Sequence, residues 1–268
     1  DAVCWAARGG VANVFREDGE SPAIAPQAFG DYNVGHMLAT GIVSALFNRT
    51  RTGKGEKVVT NLYAGAIWGG NIGICATQFG APYPKSRKHV PNPFNNTYRT
   101  YDDKWIYICM PQYDKYYPMM MGLFGHEDQI ENPDTNNLTS LKASGKNVEV
   151  IDWLEKAFAK KTFDEWMAIF KENEVPAQKC FRYTDVVKDE EAYDNDALRM
   201  VEYEAYGKRA LPMTPVRFGS YGDPPVVLSK PIGYHTAEFM HDYGYSDEEI
   251  AKIAEDGGVV VYLSLIHI

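Results

Sequence analysis

Between Ala81 and Thr97 the chain reads APYPKSRKHVPNPFNNT, with four prolines in 17 positions. Each proline removes a backbone donor and pushes the residue before it out of helical conformation. The segment therefore reads as a linker and a domain boundary. With 268 residues, 45% of them hydrophobic, the chain has material for one large core or two modest ones.

Upstream of that boundary, Val34, Met37, Leu38, Gly41, Ile42, Ala45 and Leu46 follow the i, i+3, i+4, i+7 spacing of an amphipathic helix. The spacing predicts a helix from Val34 to about Asn48, with Arg49 and Arg51 suited to the negative end of its dipole. TGKGEK at 52–57 is a turn; it lacks the spacing of a phosphate-binding loop and follows a helix instead of opening one. VVTNLY at 58–63 is β-branched and reads as a returning strand, and AGAIWGGNIGICATQFG at 64–80 as a buried helix.

Downstream, YRTYDDKWIYICM predicts a hairpin turning at Asp102 and Asp103. Helical patterns follow at about 113–124 and 148–159, and Thr162 with Glu165 forms a capping box for a helix ending near Asn173. Beyond a short apolar stretch from Val175 come a charged run at Lys188–Glu191 and a polar loop region at 206–232. Ser246 with Glu249 then caps a last helix. The closing VVVYLSLIHI reads either as a final strand or as non-native sequence.

Charge and cysteine usage narrow the function. A formal net charge of −9 argues against nucleic acid and against anionic membrane surfaces. Without a signal peptide or a long apolar run, the cytoplasm is the expected location. Cys4, Cys75, Cys109 and Cys180 have no zinc spacing and are expected to be reduced and mostly buried. The six histidines show no HExxH or similar pattern, so no metal site is expected.

The chemistry converges on FGDYNVG at 29–35. Asp31 stands at the mouth of the predicted helix, where a carboxylate serves as an N-cap or as a nucleophile. Gly30 would let a ligand approach the backbone, and Gly35 keeps that face of the helix open. The positive end of the helix dipole also favours the charged carboxylate that a nucleophile requires. Spacing alone favours the cap, because capping is the commoner use. His36 is close by but reads as a bystander.

The segment AFGDYNVGHMLATGIVSALFNRTRTGKGEKVVTNLY resembles the stretch of class III CoA-transferases that runs from a GD pair through a small-residue helix to R-x-x-TGKG. This is the formyl-CoA, carnitine and 2-hydroxyacyl-CoA transferase family. PIGYHTAEFMHDYGYSDEEIAKI resembles that family's closing signature. VPNPFNNTYRTYDDKWIYI is similar to the opening of the small domain in its 2-hydroxyacyl and phenyllactate branch.

The resemblance implies an α/β fold with a large Rossmann-like domain and a smaller α+β domain, assembled as an interlocked ring homodimer. Residues 1–90 would be the central part of the large domain, 91–173 the small domain, 174–262 the return to the large domain, and 263–268 a tail. It makes Asp31 the catalytic nucleophile, attacking an acyl-CoA thioester to give an aspartyl anhydride and then an aspartyl-CoA thioester. Asp1 falls on an acidic position that would support the site, and the N–H groups of Asn33 and Val34 are candidate oxyanion donors.

No cofactor is implied, since coenzyme A enters as a thioester substrate. The partners are an acyl-CoA and a carboxylic acid. The glycine-rich flap of the formyl-CoA branch has no counterpart in residues 91–125, so a 2-hydroxy or aryl acid is expected over oxalate or formate. The family's N-terminal βαβ-type unit is also without a counterpart, so the chain is expected to be an N-terminally truncated fragment. Two other readings stay open: an α-methylacyl-CoA racemase or epimerase of the same fold, and a non-catalytic CoA-binding subunit.

Overall fold

A computed structural model describes residues 1–203, 206–220, 222 and 225–262. The expected tail at 263–268 lies outside the described residues. The chain divides into two compact units, Asp1–Cys180 and Phe181–Ile268.

In the first unit a π-helical turn, Ala2–Arg8, leads into α1 (Val11–Val14) and the 24-residue α2 (Phe29–Thr52). Ala28 sits in the left-handed region at φ 58°, and that reversal starts α2 five residues before the apolar spacing begins. Gly53, at φ 68°, ends the helix by donating to the Arg49 carbonyl at 2.8 Å.

The strand expected at 58–63 does not form. Residues 54–60 are irregular with no ladder partner among the described residues. Asn61 instead caps α3 (Leu62–Gly69), accepting the Ala64 N–H at 2.8 Å. The single buried helix expected over 64–80 is also corrected. Gly69 and Gly70 interrupt it, and α4 (Asn71–Thr77) follows. With Trp68 70% and Ile72 79% exposed, that stretch is largely a surface.

The proline-rich linker is pinned on both sides. The Glu17 carboxylate accepts from the Ser86 hydroxyl and from the Arg87 N–H at 2.9 Å. The Arg87 guanidinium pairs with Glu155 at 2.5 Å and lies over the Trp105 ring.

β1 (Asn95–Arg99) and β2 (Trp105–Cys109) form the expected hairpin, in register from Asn95 opposite Cys109 to Arg99 opposite Trp105. Alternation turns Tyr98, Ile106 and Ile108 inward. Against that face pack α5 (Tyr113–Phe124), α6 (Leu138–Ser144), α7 (Asn147–Phe158) and α8 (Phe163–Glu172), and β3 (Ala177–Lys179) completes an antiparallel sheet. Tyr98 stacks on Phe158 with centroids 4.8 Å apart, and the Trp166 indole donates to the Phe158 carbonyl at 3.0 Å. The Thr162–Glu165 capping box forms as expected.

The second unit contains α9 (Tyr183–Val186), α10 (Glu190–Asp194), β4 (Leu198–Tyr203), β5 (Gly207–Pro212), α11 (Thr236–Asp242) and α12 (Asp247–Glu255). The 206–232 loop is corrected in its first part, where β5 pairs antiparallel with β4. Lys208 and Arg209 had hidden the strand behind polar character. The Ser246–Glu249 box caps α12 as expected.

All four cysteines are exposed thiols, which overturns their expected burial. Cys109, for example, falls on the outward phase of β2. Among the described residues no helix is long and apolar enough to cross a membrane.

Candidate active site

The early start of α2 changes the reading of its first turn. Asp31 is the third helical residue and not the cap, and the Ala28 cap position makes no side-chain hydrogen bond. The capping reading is therefore corrected. The Asp31 carboxylate is exposed and engages no hydrogen-bond or ion-pair partner among the described residues.

The oxyanion donors expected from Asn33 and Val34 are corrected for the same reason. With the helix running from Phe29, their N–H groups belong to the i→i−4 ladder. Of the preceding N–H groups, that of Phe29 donates to the Pro26 carbonyl at 3.4 Å and that of Tyr32 to the Ala28 carbonyl at 2.9 Å. The Gly30 N–H donates to Asp1 Oδ1 at 3.1 Å. The Asp31 N–H has no partner among the described residues, so an unpaired carboxylate and an unpaired donor belong to one residue. Chemically, that places a free carboxylate beside a free hydrogen-bond donor.

Gly30 is buried, and its missing Cβ is used by protein and not by a ligand. A Cβ there would lie 2.3 Å from Asp1 Oδ1 and 2.4 Å from Trp5 Cγ. Trp5 lies beneath the first turn and meets the Phe29 ring edge-on at 5.6 Å. Val34, also buried, fixes the helix from below, reaching so close to α3 that a Cβ on Gly65 would lie 2.5 Å from its Cγ2. At Gly35 a Cβ would meet nothing within 4 Å, so that face is open. Asp1 and Trp5 on one side and Val34 on the other hold the turn that presents Asp31.

Sequence reasoning named Asp1 but missed Trp5. The available signal was an aromatic residue within a small-residue segment, the pattern of a ring packed on glycine.

The opposite flank of α2 borders a cavity of about 450 Å³ between the N-terminal turn, α3 and α4. Phe29, Asn33 and Met37 line it from α2, together with Trp5, Gly69 and Tyr83. Asp31, two positions off the 29–33–37 row, is not part of it. Among the described residues no group of His, Cys, Asp or Glu is placed to hold a metal ion.

Comparison with known proteins identifies the family. Residues 1–236 match the model of the family described as CoA-transferase family III. The cinnamoyl-CoA:phenyllactate CoA-transferase of Clostridium sporogenes is 34% identical over 97% of this chain and 64% of its own length. The (R)-2-hydroxy-4-methylpentanoate CoA-transferase of Clostridioides difficile is 33% identical over 98% of this chain and 65% of its own. Human α-methylacyl-CoA racemase is 27% identical over 95% of this chain and 65% of its own. The chain thus spans about 65% of the length of these curated relatives.

Among solved structures, a CAIB/BAIF family protein from Brucella suis superposes with a TM-score of 0.67 at 19% identity, covering 88% of this chain and 60% of that one. Rv3272 from Mycobacterium tuberculosis gives 0.65 at 24% identity, covering 81% and 56%. These two likenesses establish the mixed α/β fold.

Proposed function

This chain belongs to CoA-transferase family III, and we propose that it supplies the covalent nucleophile, Asp31, of a CoA transfer between an acyl-CoA and a carboxylic acid. The observation that carries the proposal is the unpaired, exposed carboxylate in the first turn of α2. A capping aspartate would be occupied by backbone donors, and this one is not.

The reaction balances in four steps. One Asp31 oxygen attacks the thioester carbon, and CoA thiolate leaves a mixed anhydride. The thiolate attacks the aspartyl carbonyl, releasing the first acid and leaving an aspartyl-CoA thioester. The acceptor carboxylate then attacks that thioester, expelling thiolate and forming a second anhydride. Attack of thiolate on the new acyl carbon gives the product acyl-CoA and restores Asp31. Covalent catalysis of this kind keeps the acyl activation that water would otherwise discharge. The Asp31 N–H, without a partner among the described residues, is the proposed donor to the developing oxyanion.

For substrate class, we infer a 2-hydroxy or aryl acid, supported by the names of the two relatives at 34% and 33% identity. A homodimer is the proposed assembly, on the family resemblance.

Asp31→Asn tests the assignment in the full-length protein. The amide keeps the shape and the first turn but is a very poor nucleophile, so folding is retained and CoA transfer falls by about three orders of magnitude or more. Unchanged transfer would remove Asp31 from the mechanism. Loss of transfer with retained exchange of the donor's α-proton would favour racemase chemistry.

A further inference from the structure

Trp5 belongs to the small buried cluster beneath α2, where its companions are Ala6, Val34 and Ala66. The Gly30 hydrogen that a side chain would replace points at its ring: a Cβ there would lie 2.4 Å from Trp5 Cγ and 2.7 Å from Cδ2. Neither ring atom carries a hydrogen, so the indole meets Gly30 with its face and not its edge. The Phe29 ring closes on the same indole in a T-shaped contact at 5.6 Å. Both residues that precede Asp31 thus rest on one side chain.

That side chain has no room to retreat. Trp5 lies in the π-helical turn Ala2–Arg8, a rare geometry frequent at functional sites. Its wide i→i−5 bonds run from the Ala6 N–H to the Asp1 carbonyl at 3.4 Å and from the Gly9 N–H to the Cys4 carbonyl at 3.1 Å. Gly9 is wedged between the turn and α3, where a Cβ on it would lie 2.3 Å from both the Trp5 carbonyl oxygen and Ala66 Cβ. The Trp5 N–H donates to the Asp1 carbonyl at 2.9 Å. The turn that sets the ring under Gly30 therefore also carries the carboxylate that accepts the Gly30 N–H. Close packing of this kind transmits a displacement instead of absorbing it.

We infer that Trp5 is a positioning residue for CoA transfer: its indole face sets the height of Gly30 and so the place of the Asp31 carboxylate on the next residue. The inference rests on Asp31 being the nucleophile and goes beyond it, since a residue with no part in the bond changes controls their rate. Misplacing a reacting group by about 1 Å costs on the order of 10²-fold. A branched side chain, thicker than a ring face, would lift Gly30 and cause such a shift.

The test is steady-state kinetics of the full-length protein, with 3-phenylpropanoyl-CoA as donor and 2-hydroxy-3-phenylpropanoate as acceptor, at a temperature where circular dichroism shows each variant folded. Trp5→Leu is expected to lower kcat at least tenfold with the donor KM within twofold of wild type, the pattern of lost transition-state geometry. Trp5→Phe keeps a flat face under Gly30 and should retain kcat within threefold. Gly30→Ala should lower kcat at least tenfold in the wild-type background, and at least threefold less than that beside Trp5→Ala, where the indole it would strike is gone. A tryptophan that only stabilises the fold gives no such coupling in kcat. A folded Trp5→Leu protein with wild-type kcat, or an equal Gly30→Ala penalty in both backgrounds, overturns the inference. If Trp5→Leu does not fold, Trp5→Phe decides, and a tenfold loss of kcat in that folded variant overturns it. Asp31→Asn keeps the two readings apart. Transfer lost in Asp31→Asn but indifferent to Trp5 overturns the positioning role alone, whereas transfer retained in Asp31→Asn overturns the nucleophile.

Discussion

Two glycines of one helix should respond in opposite directions to the same substitution. At Gly30 an added methyl would lie 2.3 Å from Asp1 Oδ1 and 2.4 Å from Trp5 Cγ, whereas at Gly35 it would meet nothing within 4 Å. Gly30→Ala must therefore displace a packed indole and a carboxylate. Overpacking of that kind costs about 1–3 kcal/mol. Weakening the hydrogen bond from the Gly30 N–H to Asp1 adds about 1.5–3 kcal/mol, as for bonds to charged acceptors. The better helix propensity of alanine returns about 1 kcal/mol. The net expectation is a loss of roughly 1.5–5 kcal/mol for Gly30→Ala against a gain of up to about 1 kcal/mol for Gly35→Ala. Urea midpoints, compared at unchanged m-value, read both. Transfer activity should fall with Gly30→Ala, because the displaced turn carries Asp31. Equal midpoints for the two variants would refute the packing described for the first turn.

Three further outcomes are expected. Asp31→Asn should change stability by less than about 1 kcal/mol, the scale of a helix-dipole contribution, so a urea midpoint near wild type should accompany its lost activity. The Thr100 hydroxyl, with the Lys104 ammonium and the Phe163 N–H, holds the Asp102 carboxyl well below the usual carboxylate range. Its stabilisation is therefore present above about pH 4, the unfolded carboxylate value, and is lost as pH falls through the lower folded value. Acid unfolding followed by fluorescence should begin at higher pH in Asp102→Asn, which lacks that stabilisation throughout. Thr162→Ala removes the hydroxyl that caps α8 and should cost about 1 kcal/mol; an unchanged melting temperature would show that the box contributes nothing.

The elements most legible in the sequence were those fixed by local chemistry. The hairpin at Asp102–Asp103 and the helices begun by Thr162 and Ser246 formed as read, because alternation and reciprocal capping act within a few residues. The strand at 58–63 failed because β-branched character does not supply a ladder partner. The start of α2 was missed because its cap position, Ala28, carries no capping side chain while Asp31, inside the first turn, has the chemistry of a cap. That error put the candidate donors on Asn33 and Val34, whose N–H groups lie inside the helix ladder. Trp5 was missed because its contact with Gly30 spans 25 positions of sequence and leaves no periodic trace, only the weaker sign of an aromatic ring among small residues.

The most direct test of the account is intact-protein and peptide mass spectrometry of the full-length protein after incubation with an acyl-CoA donor and hydroxylamine. Acyl transfer through Asp31 predicts a hydroxamate on the peptide containing that residue, formed only when donor is present and absent in Asp31→Asn. Efficient CoA transfer with that peptide unmodified, and with the adduct on another residue, would contradict it.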